Sequence, residues 1–472
     1  MSDSSLVRLS AACIALKIRS GELTPTQVVE AHLAAIARHN PRLNAVVTLT
    51  ADLALEQARD IERRRAAGAP LGLLAGVPVG IKDTHPTAGI RTTYGSPLMK
   101  DNVPAEDAAI VARLKAADAI VIGKTNVPEY AYGAHTTNAL FGVTRNPWNP
   151  ALSASGSTGG GAAGLVAGMF ALATGSDLGG SLRLPASFCG VAGLRPSPGL
   201  VPLVPSDQPW NPLSVDGPMA RSVGDLALML QAISGPHPLE PFVVPVEGRD
   251  FPAAAAAPLR PGLRVAYCPD IVRIGIDPEI ERVARQAAFA LRDLGCEVEE
   301  VDLDLSAHRR TFLQLRGQFV LNGGLDMLDR IDRLGPNYAG NLRFGLAQSP
   351  RDVAEGERGR ARLLAAMAAF FERHDRLLTP CAPVPPFPVE QNYPETIGGR
   401  KMESYIDWAA PTFVLSSAGL PVLCVPAGLD RASLPVGLQV VGPRWNEEGV
   451  LSLGAALERV APLPPAPLGD EG

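Results

Sequence analysis

The chain has 472 residues, 46% of them apolar, with a formal net charge of −5 and a pI near 5.9. That is enough chain to bury a sizeable core, and it carries no Lys/Arg run to track a phosphate backbone, so direct nucleic-acid binding is excluded as the leading function. Six scattered cysteines (Cys13, Cys189, Cys268, Cys296, Cys381, Cys424) form no CxxC pair, the start MSDSSLVRLSAAC has no basic-then-apolar leader, and the apolar stretches are glycine-broken and short; a soluble, cytoplasmic protein with reduced thiols and no membrane anchor is expected.

Residues 5–18 and 24–39 read as amphipathic helices, with Thr24 or Thr26 as the starting cap of the second and Asn40-Pro41 as its stop. A third helix is expected over 51–67. Residues 77–81 then form a short buried strand ending at Lys82-Asp83, followed by a helix at 105–116 and a strand at 119–122. This alternation argues an α/β architecture. Residues 152–161 (LSASGSTGGG) are almost all small; they open onto a helix at 162–168, and 170–174 reads as another buried strand. The Pro- and Ala-rich tract 235–262 is expected to be a surface connection. A strand at 263–268, a helix at 278–294 and a strand at 297–303 then suggest a βαβ unit. Long helical regions at 306–332 and 352–376, strands at 377–380 and 422–426, and a loose tail over 461–472 complete the chain. No internal repeat or second module is visible.

The stretch ATGSDLGGSLRLP (173–185) offers Ser181 as a nucleophile, yet the nearest histidines are His135 and His237. A GxSxG elbow is absent because position 183 is Arg. His85 could serve a Ser–His–Asp triad, although loop polarity is the favoured reading for it. The run Ala119–Thr125 resembles the end of a P-loop, but Asp118 stands where its first glycine belongs, so a structural turn after a strand is expected. The seven histidines include no HExxH, which leaves zinc hydrolysis without a basis and implies no metal or other cofactor. Two features remain. The small-residue loop around Ser157 can bring backbone N–H groups close to another segment. Lys82 ends a buried strand, where desolvation favours the neutral amine, a base able to deprotonate a hydroxyl; an ordinary surface lysine is the equal alternative from local sequence.

Taken together, GVPVGIKDTHPTAGIRTTYGS (76–96), VIGKTNVPEYAYG (121–133), GVTRNPWNP (142–150), SGSTGGGAAGLVAG (155–168) and ATGSDLGGSLRLPASFCGVAGLRPS (173–197) resemble the amidase signature family, hydrolases with a Ser–cis-Ser–Lys triad. SSAGLPVLCVPAG (416–428) and LPVGLQVVGPRWNE (434–447) extend the resemblance toward the C-terminus. It implies one large domain over 1–472, a central mixed twisted sheet covered by helices on both sides: N-terminal helices to 70, the signature core over 71–200, and the remaining sheet and pocket helices over 201–460. It places the family's base on Lys82, its cis-serine on Ser157 after a cis Gly156–Ser157 bond, and its nucleophile on Ser181, 24 residues further on. Backbone N–H groups of Leu178, Gly179, Gly180 and Ser181 become the oxyanion hole, with Asp177, Arg183 and Thr158 bracing it. Side chains at 179 and 180 would obstruct the carbonyl oxygen. Tyr130, Tyr132, His135 and Gln318, with the region to Met327, become candidate pocket walls. One departure is visible, since the family's frequent GGSSGG here reads SGSTGG, with Ser155 and Thr158 replacing Gly and Ser.

The resemblance implies hydrolysis of a small aryl or alkyl amide through a Ser181 acyl-enzyme, with carbamates (urethanes) or esters as alternatives. A glutaminase component of a tRNA-dependent amidotransferase and a non-catalytic scaffold are the competing readings. Expected partners are the small substrate and water, with no nucleic acid and no membrane, in a monomer or homodimer.

Overall fold

The computed structural model describes residues 3–468. Its frame is a mixed sheet of eleven strands: β1 (Val46–Leu49), β2 (Pro78–Lys82), β3 (Ile120–Thr125), β4 (Leu172–Asp177), β5 (Ala192–Arg195), β6 (Val215–Ala220), β7 (Arg264–Tyr267), β8 (Glu297–Glu300), β9 (Arg376–Pro380), β10 (Val422–Leu429) and β11 (Pro435–Val441). In space they run β1-β3-β2-β4-β6-β5-β10-β11-β9-β7-β8. β2 lies parallel to both β3 and β4, and β7 parallel to β8 and β9. The middle, from β4 through β6, β5 and β10 to β11, is antiparallel.

Helices cover both faces, and the strand register shows it. In the β10–β11 ladder Cys424 opposes Gln439 and Leu423 opposes Val440, so these two pairs point to opposite faces. The helix Arg183–Cys189 lies on the first face: Arg183 Nη1 donates to Gln439 Oε1 at 2.8 Å, and a Cβ on Gly437 would stand 2.4 Å from Ser187 Oγ. The helix Glu447–Val460 lies on the other, where a Cβ on Gly454 would stand 2.3 Å from Leu423 Cδ2. This is the α/β class and layering that the sequence predicts.

Local signals account for much of the detail. Thr24 caps the helix Pro25–Leu43 in a reciprocal box with Gln27, each side chain accepting from the other's backbone N–H at 3.1 Å. Pro41 does not stop that helix. It sits in the last turn, where only the Ala37 carbonyl goes without its helical donor, and the helix ends instead at left-handed Asn44 (φ 51°). The turn expected at 123–125 is strand: Gly123 lies inside β3 because β1 passes so close that a Cβ there would be 2.7 Å from Thr48 O. The helical region expected at 306–332 breaks into His308–Gly323 and a 3₁₀ stretch Leu325–Arg333, at a point where Gly324 packs against Leu342 and Tyr338. The connection 235–262 contains one short helix, Phe251–Ala256, capped by Asp250.

The tail expected to be loose is docked as far as 468. Ala466 and Leu468 are buried, Arg42 Nη1 donates to Leu468 O at 3.1 Å, and bare Gly190 makes room for Leu463; residues 469–472 lie outside the described residues. The six cysteines are unpaired thiols. Among the described residues no helix is long and apolar enough to cross a membrane, and no group of three or more His, Cys, Asp or Glu is placed to hold a metal ion.

The helix Gly159–Val166 starts against neighbouring backbone: a Cβ on Gly160 would lie 2.4 Å from Asn126 N and 2.7 Å from Ala45 O. Backbone atoms cannot rotate aside as a side chain would. Gly160→Ala is therefore expected to destabilise the fold by about 1–3 kcal/mol or more, read as a lower urea midpoint; an unchanged midpoint would contradict the packing argument.

Candidate active site

Because β2 and β4 are parallel neighbours, their carboxyl ends emerge side by side, the usual place for chemistry in an α/β sheet. Lys82 is the last residue of β2, and Ser176 and Asp177 end β4. The small-residue loop crosses above them with a cis bond between Gly156 and Ser157. Only glycine fits at 156, where a Cβ would stand 2.8 Å from Gly133 O and 2.9 Å from His135 N. Lys82 is fully buried, and its Nζ reaches Ser157 Oγ at 2.8 Å, Thr158 Oγ1 at 3.0 Å and Ser176 Oγ at 3.0 Å.

Burial pushes Lys82 down to about 7 against the opposing charges of Asp216 and Asp177. A second buried lysine, Lys124, is also held down to about 7 by burial, so the lowered value alone does not single out Lys82. The hydroxyl protons do. Lys124 Nζ meets His85 O, Thr87 Oγ1 and Thr92 Oγ1, but Thr87 and Thr92 donate their own protons to the carbonyls of His85 and Ile90. Every neighbour of Lys124 is thus an acceptor, and that amine can only donate. Around Lys82, none of the hydroxyls of Ser157, Thr158 and Ser176 donates to a carbonyl among the described residues. Neutral Lys82 can accept one of their protons while donating two of its own.

His85 is buried in the same region, with Nδ1 2.9 Å from Thr174 Oγ1 and Nε2 3.2 Å from Asp216 Oδ1. Both ring nitrogens are engaged, so neither is left to take a proton from Ser181.

After β4 the chain folds back on the Asp177 carboxylate. Oδ1 accepts from Gly180 N at 2.9 Å and Oδ2 from Leu182 N at 3.2 Å. Arg183 completes the clamp through Nε to Oδ2 (3.0 Å) and Nη2 to Oδ1 (2.9 Å). Its remaining hydrogens go to Thr412 O, Gln439 Oε1 and Ser416 Oγ, so all five donors are used. Burial alone would raise the Asp177 carboxyl; Arg183, and then Arg195, outweigh it and hold it at about 2. Since Gly180 N–H is committed to Asp177, three loop N–H groups, those of Leu178, Gly179 and Ser181, have no acceptor among the described residues. The glycines are required for packing rather than for carbonyl access: a Cβ on Gly179 would be 2.9 Å from Phe312 Cζ, and one on Gly180 (φ 122°) 2.3 Å from Thr412 Oγ1.

Ser157, Ser176 and Ser181 open onto a cavity of about 270 Å³, walled by Tyr130 and Tyr132, the segment Leu203–Gln208, Asp216 and Phe319. His135 stands elsewhere. It is buried, paired with Ser153 Oγ (2.6 Å) and Val389 O (3.1 Å), held down to about 4 by that burial, and it lines a separate cavity of about 670 Å³ that contains none of the three serines. Gln318 lines neither cavity, because at 100° per residue it points about 200° from Arg316 on its helix, whereas Phe312, Arg316, Phe319 and Gly323 share the inward side. That i, i+4, i+7, i+11 spacing is the sequence signal for the wall, and Gln318 falls outside it, two residues from Arg316 and one from Phe319.

With this geometry in place, the relatives can be compared. The sequence pattern of the Amidase family matches residues 27–451. The chain is 35% identical over 466 residues to a glutamyl-tRNA(Gln) amidotransferase subunit of Roseiflexus sp. (strain RS-1), covering 93% of this chain and 94% of that protein. It is 32% identical to the acylamidase of Rhodococcus erythropolis, over 98% and 97% of the two chains. Its structure superposes on that of a bacterial aryl acylamidase of the amidase signature family with a TM-score of 0.90 and 29% identity, over 96% of each chain.

Asp177→Ala removes the only carboxylate that faces buried Arg183 and Arg195 among the described residues. Stranding two buried guanidinium groups is expected to cost about 3–5 kcal/mol, measurable as a fall in the urea midpoint together with loss of activity. A variant of unchanged stability would show that the clamp is dispensable.

Proposed function

The chain belongs to the amidase signature family and is a hydrolase of carbon–nitrogen bonds other than peptide bonds; on that premise we propose that it cleaves a small aryl or alkyl amide through a Ser181 acyl-enzyme. The observation that carries this reading is the fully buried Lys82 amine, held at about 7 and 2.8 Å from a Ser157 hydroxyl whose proton is uncommitted.

Neutral Lys82 takes the Ser157 proton as Ser157 takes that of Ser181, and Ser181 Oγ attacks the carbonyl carbon. The negative charge moves to the carbonyl oxygen, where the N–H groups of Leu178, Gly179 and Ser181 receive it; one such donor is worth about 3–4 kcal/mol in the transition state. Ser157 then passes a proton to the departing nitrogen, the C–N bond breaks, and the amine leaves. Water repeats the sequence on the ester, releasing the acid and restoring Ser181. Asp177 and Arg183 hold the loop in register and touch no reacting atom. Ser157 and Ser181 share no hydrogen bond among the described residues, so this link forms as the substrate settles, a common tightening in catalytic sites.

Carbamates and esters fit the same acylation. A glutaminase role within a tRNA-dependent amidotransferase is the second reading, favoured by the amidotransferase components among the relatives. A panel of p-nitroanilides, simple amides, carbamates and glutamine, the last with and without partner proteins and with ammonia as readout, separates these.

Ser181→Ala is expected to lower kcat on any of these substrates by about four orders of magnitude or more; retained amide and ester turnover would sink the assignment. The pH dependence has a determined sign. The base is the deprotonated form of a group at about 7, so kcat/KM falls as the pH drops through 7. At pH 6 roughly a tenth of Lys82 remains neutral. A profile flat from pH 5 to 8 would remove Lys82 as the base.

A further inference from the structure

Ser181 lines a second, smaller cavity of about 30 Å³ that the Ser157 side chain does not line, bounded by Gly156, Gly179, Phe312, Arg316 and Tyr405 and sharing Tyr132 and Leu178 with the larger one. Thirty cubic ångströms accommodates about two waters or one compact polar group. Arg316 is 5% exposed, and no carboxylate among the described residues forms an ion pair with it. Nη1 donates to Asn341 Oδ1 and Nη2 to Tyr405 OH, which leaves three of its five hydrogens without an acceptor among the described residues. The rings of Tyr132 and Tyr405 lie 5.9 and 5.5 Å from its guanidinium carbon. Tyr405 OH also accepts from Asn341 Nδ2 at 2.6 Å, so both its lone pairs are taken and its own proton has no acceptor among the described residues.

This cluster has donors to spare and no anion. The contrast with Arg183, whose five hydrogens and charge are all answered within the fold, is direct. A buried cation is costly unless something negative reaches it. The position of the cavity says which part of a substrate would do so. The departing nitrogen must lie beside Ser157, which lines the larger cavity and not the smaller; the acyl group is then the part of the substrate that reaches past Gly179 toward Arg316.

We propose that Arg316 and Tyr405 form an anion subsite for a carboxylate on the acyl group, making the preferred substrates monoamides of short dicarboxylic acids. This rests on the Ser181 acyl-enzyme reading given above. The guanidinium fork and the phenol hydroxyl are suited to hold two carboxylate oxygens at once.

The test compares the malonyl, succinyl and glutaryl mono-p-nitroanilides with the acetyl, butyryl and valeryl p-nitroanilides, on the wild type, Arg316→Met and Arg316→Lys, with thermal melting to establish that each is folded. For the best chain length the wild type is expected to favour the carboxylated substrate in kcat/KM by about tenfold or more, since an unanswered buried donor set penalises the neutral analogue. Arg316→Met should abolish that ratio and Arg316→Lys restore part of it. A wild type that prefers neutral acyl groups, or an Arg316→Met that lowers both classes equally, overturns the subsite and leaves the hydrolase reading intact. Failure to cleave any anilide, charged or neutral, overturns the aryl-amide reading and the subsite with it.

Discussion

The Asp177 carboxylate is the constraint on which the site depends. It closes β4, accepts two backbone N–H groups from the loop that follows, and is clamped by an arginine that also reaches the Gln439 side chain of β11 and the helix Ala410–Ser417. One buried ion pair therefore fixes the loop conformation, the direction of the helix Arg183–Cys189 and the seating of that helix on the sheet. An arrangement of this kind is stable only while every partner is present, since its desolvation cost is offset by geometry rather than by area. Gly180 reports the same constraint: its positive φ and its contact with Thr412 are what allow the chain to turn back far enough to reach Asp177.

What sets Lys82 apart is the company it keeps rather than its burial. Lys124 is equally desolvated and equally surrounded by oxygens, yet its hydroxyl neighbours have already spent their protons on backbone carbonyls. The distinction lies in which groups hold transferable hydrogens, and no list of residue types displays it.

Legibility from the sequence follows the range of the interactions. Caps and periodic patterns are local, so the helix begun by Thr24 and the strand–helix alternation were readable, as was the isolation of Lys82 at the end of an apolar strand. What escaped was set by contacts distant in the chain. Gly123 continues a strand because β1 presses on it, Pro41 is tolerated because it lies in the last turn of its helix, and the tail docks because Gly190 leaves a hollow. The proposed triad positions rest on a long and specific motif. Among the expected pocket walls, Tyr130 and Tyr132 line the serine cavity while His135 and Gln318 do not, because wall membership depends on helix phase and on loop crossings. Arg316 carried no signal in isolation; an arginine in a polar helix is ordinary until its surroundings prove to contain no acid.

Ser181 borders two unequal spaces, one of about 270 Å³ and one of about 30 Å³. On the proposed orientation the larger receives the departing amine and the smaller the carboxylate end of the acyl group. Substrates that differ only in their amine then converge on one covalent intermediate, which loses all memory of what was released. Diversity would be confined to the first half of the cycle, and a single deacylation rate would set a common ceiling on turnover for the whole series.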